Sequence, residues 1–208
     1  MLTPVAKAFS TDIGTEVASL GVQVHGGMGF IEETGAAQHY RDARIAQIYE
    51  GTNGIQAVDL VARKLPLSGG KAVQTFVDEL RGTAASVAAS NDPAFGTTAA
   101  KLAEAIEALD RASAWLLGAL ERDPDAALAG ATPYLRLFGT AAGGAALAEE
   151  ALAGIRLSGG NGHGNGSDAA GRTALARFFA ENFCVQAHGL ERAVTEGAES
   201  VSEAGLAS

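Results

Sequence analysis

Two short segments in the first third of the chain combine residue types that could do chemistry. The first reads Gln-Val-His-Gly-Gly-Met-Gly-Phe, from Gln23 to Phe30. Its glycines would let backbone N–H groups approach a phosphate or a ring without interference from a Cβ atom, beside the amide of Gln23. Short glycine patterns are common, so this segment taken alone favours a plain turn over a binding loop.

The second segment reads Tyr-Glu-Gly-Thr, from Tyr49 to Thr52. A carboxylate in a desolvated pocket becomes a better base, which makes Glu50 a candidate for proton abstraction. Taken alone, a glutamate between a helix end and a Gly-Thr loop is more simply a charge at a helix terminus. We interpret Tyr49, beside it, as a packing residue.

The elements that must position these segments are predicted to be helices and tight loops. Residues 1–20 are predicted as an amphipathic helix, residues 21–35 as a structured loop and residues 36–46 as a short helix. A tight loop at residues 51–54 then leads into another helix. The apolar face of the first helix consists of Val5, Phe9, Ile13, Val17 and Leu20. The stripe of the last helix consists of Ile55, Val58, Val61 and Leu65.

The stretch from Pro66 to Gly70 interrupts the helical pattern, and we predict a domain boundary there. It divides the chain into residues 1–66 and residues 71–208. Four amphipathic stretches joined by short loops follow it, which predicts an antiparallel, four-helix-bundle-like arrangement. No strand pattern is found, so the predicted fold class is all-α.

Several details of the four later helices can be predicted. Asp92-Pro93 and Thr132-Pro133 are typical of helix starts. The segment from Ser158 to Gly166 is interpreted as a helix–helix connection, and the tail after Gly197 as frayed. Cys184 is expected to be a small buried apolar residue. The fourth helix is predicted to place one face inward, made of Leu175, Phe179, Phe183, Ala187, Leu190 and Val194.

Composition excludes several classes of protein. The formal charge is −9 and no basic patch occurs, so nucleic acid is not an expected partner. No apolar run approaches the roughly 20 residues that span a bilayer, and the first residues lack a signal-peptide pattern, so we expect a cytoplasmic protein. The four histidines lack the spacing of a metal site, and no metal is predicted.

Together the two segments resemble the acyl-CoA dehydrogenase family. The pattern that begins at Gln23 is similar to the second signature of the family, and Glu50 follows at the family's spacing, 27 residues later. Glu33 and Arg41-Asp42 match the continuation of the signature, whereas Gln38 stands where the family usually has Lys or Arg.

The resemblance extends beyond the motifs, with decreasing specificity. Residues 1 to about 65 resemble the end of the family's C-terminal helical domain, and residues 71–208 resemble, more weakly, the helical extension of a larger subgroup. The implied fold is all-α in both parts.

What the family does implies roles for five residues. Glu50 matches the base that removes the α-proton of an acyl-CoA thioester while the β-hydrogen leaves as hydride to FAD. The backbone N–H at Glu50 helps to hold the thioester carbonyl. Gln23, Gly26 and Gly27 match residues that contact FAD, largely the FAD of a neighbouring subunit, and Thr52 matches a residue near the FAD phosphates.

The resemblance also implies partners. Family members act in fatty acid β-oxidation as homo-oligomers and pass electrons to an electron-transfer flavoprotein. They carry an N-terminal helical domain and a β-domain, so we expect residues 1–65 to present an apolar docking surface and the chain to be inactive without those parts. The alternative is a non-catalytic helical interaction module, a truncated relative that binds partner subunits.

Overall fold

Every regular element of the described chain is helical, which confirms the all-α prediction. The computed structural model describes residues 1–160 and 166–204. Short 3-10 turns occur at Glu32–Thr34, Pro93–Phe95 and Cys184–Gln186. The α-helices are α1 Thr3–Val24, α2 Gly27–Phe30, α3 Ala36–Ile45, α4 Asn53–Asp59, α5 Lys71–Ser90, α6 Thr98–Arg122, α7 Pro124–Ala129, α8 Ala131–Gly160, α9 Gly166–Asn182, α10 Ala187–Glu196 and α11 Ala198–Glu203.

Helix α3 runs back along α1, and this return brings the Glu50 segment to the N-terminal half of α1. The hydroxyl of Thr15 donates to the carbonyl of Ala43 at 3.4 Å, and the amide of Gln47 donates to Asp12 at 2.6 Å. Residue numbers thus rise along α3 as they fall along α1, so the two helices are antiparallel. Helix α4 then continues into a π-helical turn at Leu60–Lys64.

The second part of the chain forms the four-helix-bundle-like extension. Helices α5, α6 and α8 and the consecutive pair α9 and α10 pack around one apolar core. Ion pairs reinforce the outside: Arg81 donates to Glu107 at 2.7 Å, and this hydrogen bond lowers the pKa of the Glu107 carboxyl. Arg111 pairs with Glu191 at 2.5 Å and links α6 to α10. Such partly exposed pairs each contribute modestly.

The N-terminal helices share this core rather than forming one of their own. Val5 and Ala8 of α1 and Leu60 of the π-helical turn lie in the same buried cluster as residues of the extension. A Cβ atom built on Gly139 of α8 would lie 2.3 Å from Cγ of Phe9, so the glycine permits the close approach of α8 to α1. The domain boundary predicted at Pro66–Gly70 therefore stays a prediction, because residues on both sides of it pack into one core.

The predicted inward face of the fourth helix is correct at Phe179, Ala187, Leu190 and Val194, which are buried or pack against the core, and wrong at its other two residues. The segment breaks into α9 and α10 at the turn Cys184–Gln186. Leu175 and Phe183 are 51% and 39% exposed, whereas the small residues Ala176 and Ala180 are buried. Phe179 packs over Gly143 and Gly144 of α8, and this orientation of α9 leaves Leu175 on the outer side.

Helix ends differ from the predictions at three places. Asp92 does cap, accepting from the N–H of Ala94 at 2.9 Å, but it caps a 3-10 turn. Helix α8 starts at Ala131, so Thr132 lies in its first turn and is not the cap. The tail predicted to fray after Gly197 contains the short helix α11. The Gly-rich connection predicted from Ser158 to Gly166 lies largely outside the described residues.

Other predictions are confirmed or refined. Cys184 is buried, as expected. The loop predicted for residues 21–35 contains the single-turn helix α2. Among the described residues, none of the helices combines the length and the hydropathy that a transmembrane span requires.

Candidate functional site

Glu50 occupies an exposed turn between α3 and α4 and has an unusual backbone. Its φ is +54°, in the left-handed region that residues with a Cβ atom rarely adopt, and Gly51 follows at φ +84°. Holding a glutamate there costs on the order of 1–3 kcal/mol, so the surrounding structure must enforce it. Its side chain is exposed to solvent in this chain. The desolvation that would strengthen the base must therefore come from groups that cover this turn.

Side chains hold the carbonyls of both left-handed residues. Nζ of Lys7, on α1, donates to the carbonyl of Gly51 at 2.8 Å. Nε2 of Gln56, on α4, donates to the carbonyl of Glu50 at 3.0 Å. The peptide groups on either side of Gly51 are thus tied to two different helices.

Thr52 and Asn53 begin α4 and join it to α1. Oγ1 of Thr52 accepts from the N–H of Ile55 at 3.4 Å and caps the helix, which leaves its own O–H free to donate to a ligand. Nδ2 of Asn53 donates to Asp12 at 2.6 Å and to the carbonyl of Ala8 at 3.2 Å, and its Oδ1 accepts from Lys7 at 2.8 Å.

The sequence analysis missed Lys7, Asp12 and Asn53. Lys7 and Asp12 lie on the polar side of α1, and their partner Asn53 is more than 40 positions away in the chain. One local signal existed, because an asparagine directly after a helix-capping threonine has few partners within its own helix. Nothing in the sequence showed which helix would supply them.

The glycine segment forms the turn at the other end of α1. Gly26 has φ +61° and ψ −147°, a conformation open essentially only to glycine, and its N–H donates to the carbonyl of Gln23 at 3.0 Å. Gly29 packs tightly, since a Cβ atom there would lie 2.2 Å from the carbonyl oxygen of Val22. Gln23, Gly26 and Gly27 are exposed.

The space over the glycine turn suits a flat or phosphorylated ligand. A Cβ atom added to Gly26 or Gly27 would meet no protein atom within 4 Å. The bare peptide edges therefore face open space beside the amide of Gln23. Residues of this kind fit one edge of an FAD site, although they form a surface and not an enclosed pocket.

The two candidate segments do not meet within one chain. Lys7 marks the position of the Glu50 turn on α1, and Gln23 marks the glycine turn. The 16 residues between them span about 24 Å of α-helix. The two segments therefore lie towards opposite ends of α1.

Gln38, the departure from the family signature, takes part in a polar network on α3. Its Nε2 donates to Asp42 at 2.7 Å, and its Oε1 accepts from Arg41 at 2.9 Å. Arg41 also lies 3.4 Å from Glu32. An amide can both donate and accept here, so Gln38 links the acidic and basic side chains that a cation would link only in part.

Large apolar side chains surround both turns and stay exposed. Val24 and Phe30, next to the glycine turn, are 85% and 81% exposed. Ile48, Tyr49 and Ile55, next to Glu50, are also exposed. Exposed apolar side chains thus occur on residues 1–65, as expected.

Two family models divide the chain between them. Residues 1–65 match the model described as "Acyl-CoA dehydrogenase, C-terminal domain", and residues 72–204 match "Acetyl-CoA dehydrogenase C-terminal like". The helical fold, the Glu50 turn and the glycine turn agree with these matches. The chain therefore belongs to the acyl-CoA dehydrogenase family.

Curated relatives are similar over different lengths of the chain. It is 41% identical over 206 residues to 3-methylmercaptopropionyl-CoA dehydrogenase of Ruegeria pomeroyi, covering 99% of this chain and 34% of that protein. It is 32% identical over 116 residues to a butyryl-CoA dehydrogenase of Syntrophomonas wolfei, covering 54% of this chain and 18% of that protein. The human mitochondrial short-chain specific acyl-CoA dehydrogenase is 41% identical over 61 residues, or 29% of this chain and 15% of the human protein. The chain thus spans about a third or less of these relatives.

Proposed function

We propose that this chain acts as the C-terminal part of an FAD-dependent acyl-CoA dehydrogenase, in which Glu50 removes the α-proton of an acyl-CoA thioester. One observation carries the proposal: Glu50 has a left-handed backbone conformation at an exposed turn, where side chains hold its own carbonyl and that of Gly51. Enforced strain of this kind clusters at active sites.

The chain's own groups would act on the substrate in two ways. The Glu50 carboxylate would accept the α-proton, and the backbone N–H of Glu50 would donate a hydrogen bond to the thioester carbonyl. That bond stabilises the negative charge that develops on the oxygen as the proton leaves. Covering the exposed turn would remove water and make the carboxylate a better base.

The cofactor we propose is FAD, which supplies the acceptor for the β-hydrogen as hydride. Gln23, Gly26 and Gly27 would hold one edge of it through the amide side chain and the bare peptide edges, and Thr52 would donate its free O–H. Because about 24 Å of helix separates the two turns, the glycine turn would serve the FAD beside another chain's Glu50. This requirement supports a homo-oligomer.

The proposed substrate is a short acyl-CoA. The support is the printed names of the relatives, which include butyryl-CoA, short-chain and 3-methylmercaptopropionyl-CoA dehydrogenases. The acceptor of the electrons would be an electron-transfer flavoprotein. We propose that activity also needs the regions that make up the rest of the relatives, docked on the apolar surface of residues 1–65, and that this chain alone is inactive.

A second candidate is a non-catalytic interaction module. The exposure of the Glu50 side chain and of apolar residues such as Phe30 favours it, since both would occur in a helical adaptor. The two candidates differ in one outcome: only the first requires Glu50 for turnover.

The decisive experiment is a chimera in which this chain replaces the aligned 206 residues of the Ruegeria pomeroyi relative. We expect the purified chimera to retain a flavin absorption band after desalting and to bleach it on addition of short acyl-CoA thioesters. Glu50→Gln should keep the band and lose the bleaching by at least about a thousandfold in rate, because removal of a catalytic base costs about this much or more.

A matched control is Glu16→Gln. Glu16 is also an exposed glutamate of the N-terminal region, and its nearest cation, Arg136, is 3.9 Å away. This variant should bleach at the parental rate. Substantial turnover by the Glu50→Gln chimera would overturn the assignment of the base, and a flavin-free parental chimera would favour the interaction module.

A further inference from the structure

We propose that Lys7 and Asn53 are positioning residues for Glu50, an inference that rests on the proposed function. Neither residue belongs to the two motifs, and neither side chain points to a role in proton transfer. Lys7 binds the turn that carries Glu50, and Asn53 ties the residue after that turn to α1. Together with Asp12 they form a polar cluster that we call the loop clamp.

The loop clamp fixes the turn from one side of α1. Nζ of Lys7 makes two hydrogen bonds of 2.8 Å, one to the carbonyl of Gly51 and one to Oδ1 of Asn53. Nδ2 of Asn53 donates a hydrogen bond to Asp12 at 2.6 Å. The same Asp12 oxygen accepts from Gln47 at 2.6 Å, in the segment that enters the turn. Lys7 and Asp12 thus bind three residues between them, all on the turn or beside it: Gly51, Asn53 and Gln47.

The clamp acts on backbone atoms, and this is why it bears on the direction of the Glu50 side chain. A residue with φ +54° would relax to a negative φ if its neighbouring peptides were free to rotate. Such a rotation turns the Cα–Cβ bond about N–Cα and changes its direction relative to the N–H of Glu50. The carboxylate and the N–H donor would then both leave the geometry that proton abstraction requires.

The anchor on the other side does not make the clamp redundant. Gln56 holds the carbonyl of Glu50, but Gln56 belongs to α4, the helix that the turn itself begins. The described hydrogen bonds from Lys7 and Asn53 connect the turn to α1, a 22-residue helix packed against the extension. Gln56 therefore ties the peptide that follows Glu50 to α4, and Lys7 ties the next peptide to α1, so that both restrict rotation in the turn.

The test uses the flavin-loaded chimera described above and the variant Lys7→Met, which keeps most of the side-chain length and removes the donor. We expect kcat to fall about 10- to 100-fold, since misplacement of a reacting group by about 1 Å has effects of this size. KM for the acyl-CoA and the flavin content should stay within about twofold, because the clamp contacts neither ligand. A residue with a purely structural role would lower flavin content and thermal stability along with kcat.

A second variant and its combination make the test independent of any one substitution. Asn53→Ala removes the acceptor of Lys7 and the link to Asp12, and we expect a similar loss of kcat. The double variant Lys7→Met/Asn53→Ala should be hardly worse than either single variant, because the two residues act as one unit. Lys7→Arg, which can still donate to both oxygens, should recover much of the activity.

The matched control is Lys64→Met, at another partly buried lysine of the same N-terminal region. Lys64 lies 3.7 Å from Asp59, which keeps Arg63 at 2.8 Å as a partner, so kcat should not change. Unchanged kcat in Lys7→Met and Asn53→Ala, or additive losses in the double variant, would overturn the clamp. Turnover by Glu50→Gln would instead overturn the proposed function, whatever Lys7 does.

Discussion

The N-terminal region and the extension differ in how many of their large apolar side chains are buried. In residues 71–204, as far as the structure describes them, the large apolar side chains are mostly buried, and Leu109, Leu116 and Phe138 are fully so. In residues 1–67, most large apolar side chains stay exposed, including Val24 and Phe30. The two regions share one core, but the extension buries most of its large apolar side chains, whereas the region with the two motifs leaves most of its own exposed.

Helix α1 shows the contrast within one element. Val5 and Ala8 at its N-terminal end are buried against the extension, and Val17 and Leu20 further along are 59% and 57% exposed. The helix is amphipathic along its full length, but α8 reaches only its first part. The same apolar pattern is therefore buried where α8 packs against α1 and exposed where it does not.

The largest expected effect tests this contrast directly. Leu109→Ala, in the core of the extension, should lower the free energy of unfolding by about 2–5 kcal/mol, because it leaves a cavity. Leu20→Ala, on the exposed part of α1, should change it by no more than about 0.5 kcal/mol. Chemical denaturation of the 208-residue chain measures both. Equal losses would mean that the N-terminal region buries its apolar face in solution.

The junction between the regions should respond to one added methyl group. Gly139→Ala places a Cβ atom against the ring of Phe9 and should cost about 1–3 kcal/mol of stability through overpacking. In a Phe9→Ala background the same change should cost almost nothing. Gly82→Ala is the control: it is a helical glycine with open space around it, and it should stabilise by up to about 1 kcal/mol. An additive double-mutant cycle would show that the junction is loose.

A smaller effect depends on pH and belongs to the extension alone. Burial raises the pKa of the Cys184 thiol to about 12. In the unfolded chain the thiol loses its proton near pH 8.5. Above that pH the unfolded state binds fewer protons than the native state, so stability should fall by up to about 1.4 kcal/mol per pH unit.

Denaturation midpoints between pH 8 and pH 10 check this expectation. Cys184→Ala should remove the decline over that interval, while losing some stability at every pH. Burial also raises the pKa of Tyr134, so a second decline should begin above about pH 10 in both proteins. A parental protein with flat stability from pH 8 to pH 10 would contradict the burial of the thiol.

The sequence predicted the helices better than it predicted their faces. The periodic segments in residues 1–20, 36–46 and 71–90 are helices, because local spacing determines an amphipathic helix. Spacing does not determine which neighbour covers a face. It failed at Leu175 and Phe183, which lie on the outer side of the segment although Phe179 packs on α8.

The motifs of the candidate site could be predicted from the sequence, but the residues that hold the Glu50 turn in place could not. Gln23, Gly26, Gly27, Glu50 and Thr52 follow from short patterns and the family resemblance, and their roles stay predictions. Backbone strain at Glu50 and the loop clamp depend on pairs of residues more than 40 positions apart. Such pairs carry no local signal, and only the packing of α1 against the turn reveals them.

The contact of Phe9 with Gly139 can form only late in synthesis, because the two residues are 130 positions apart and Gly139 is made after Phe9. A ribosome adds roughly 5–20 residues per second, so about 6–26 seconds pass between the synthesis of Phe9 on α1 and that of Gly139 on α8. Through that interval Val5 and Ala8 of α1 lack the part of the core that α8 supplies. The loop clamp needs only residues 7–53, so it can form before α8 has been made.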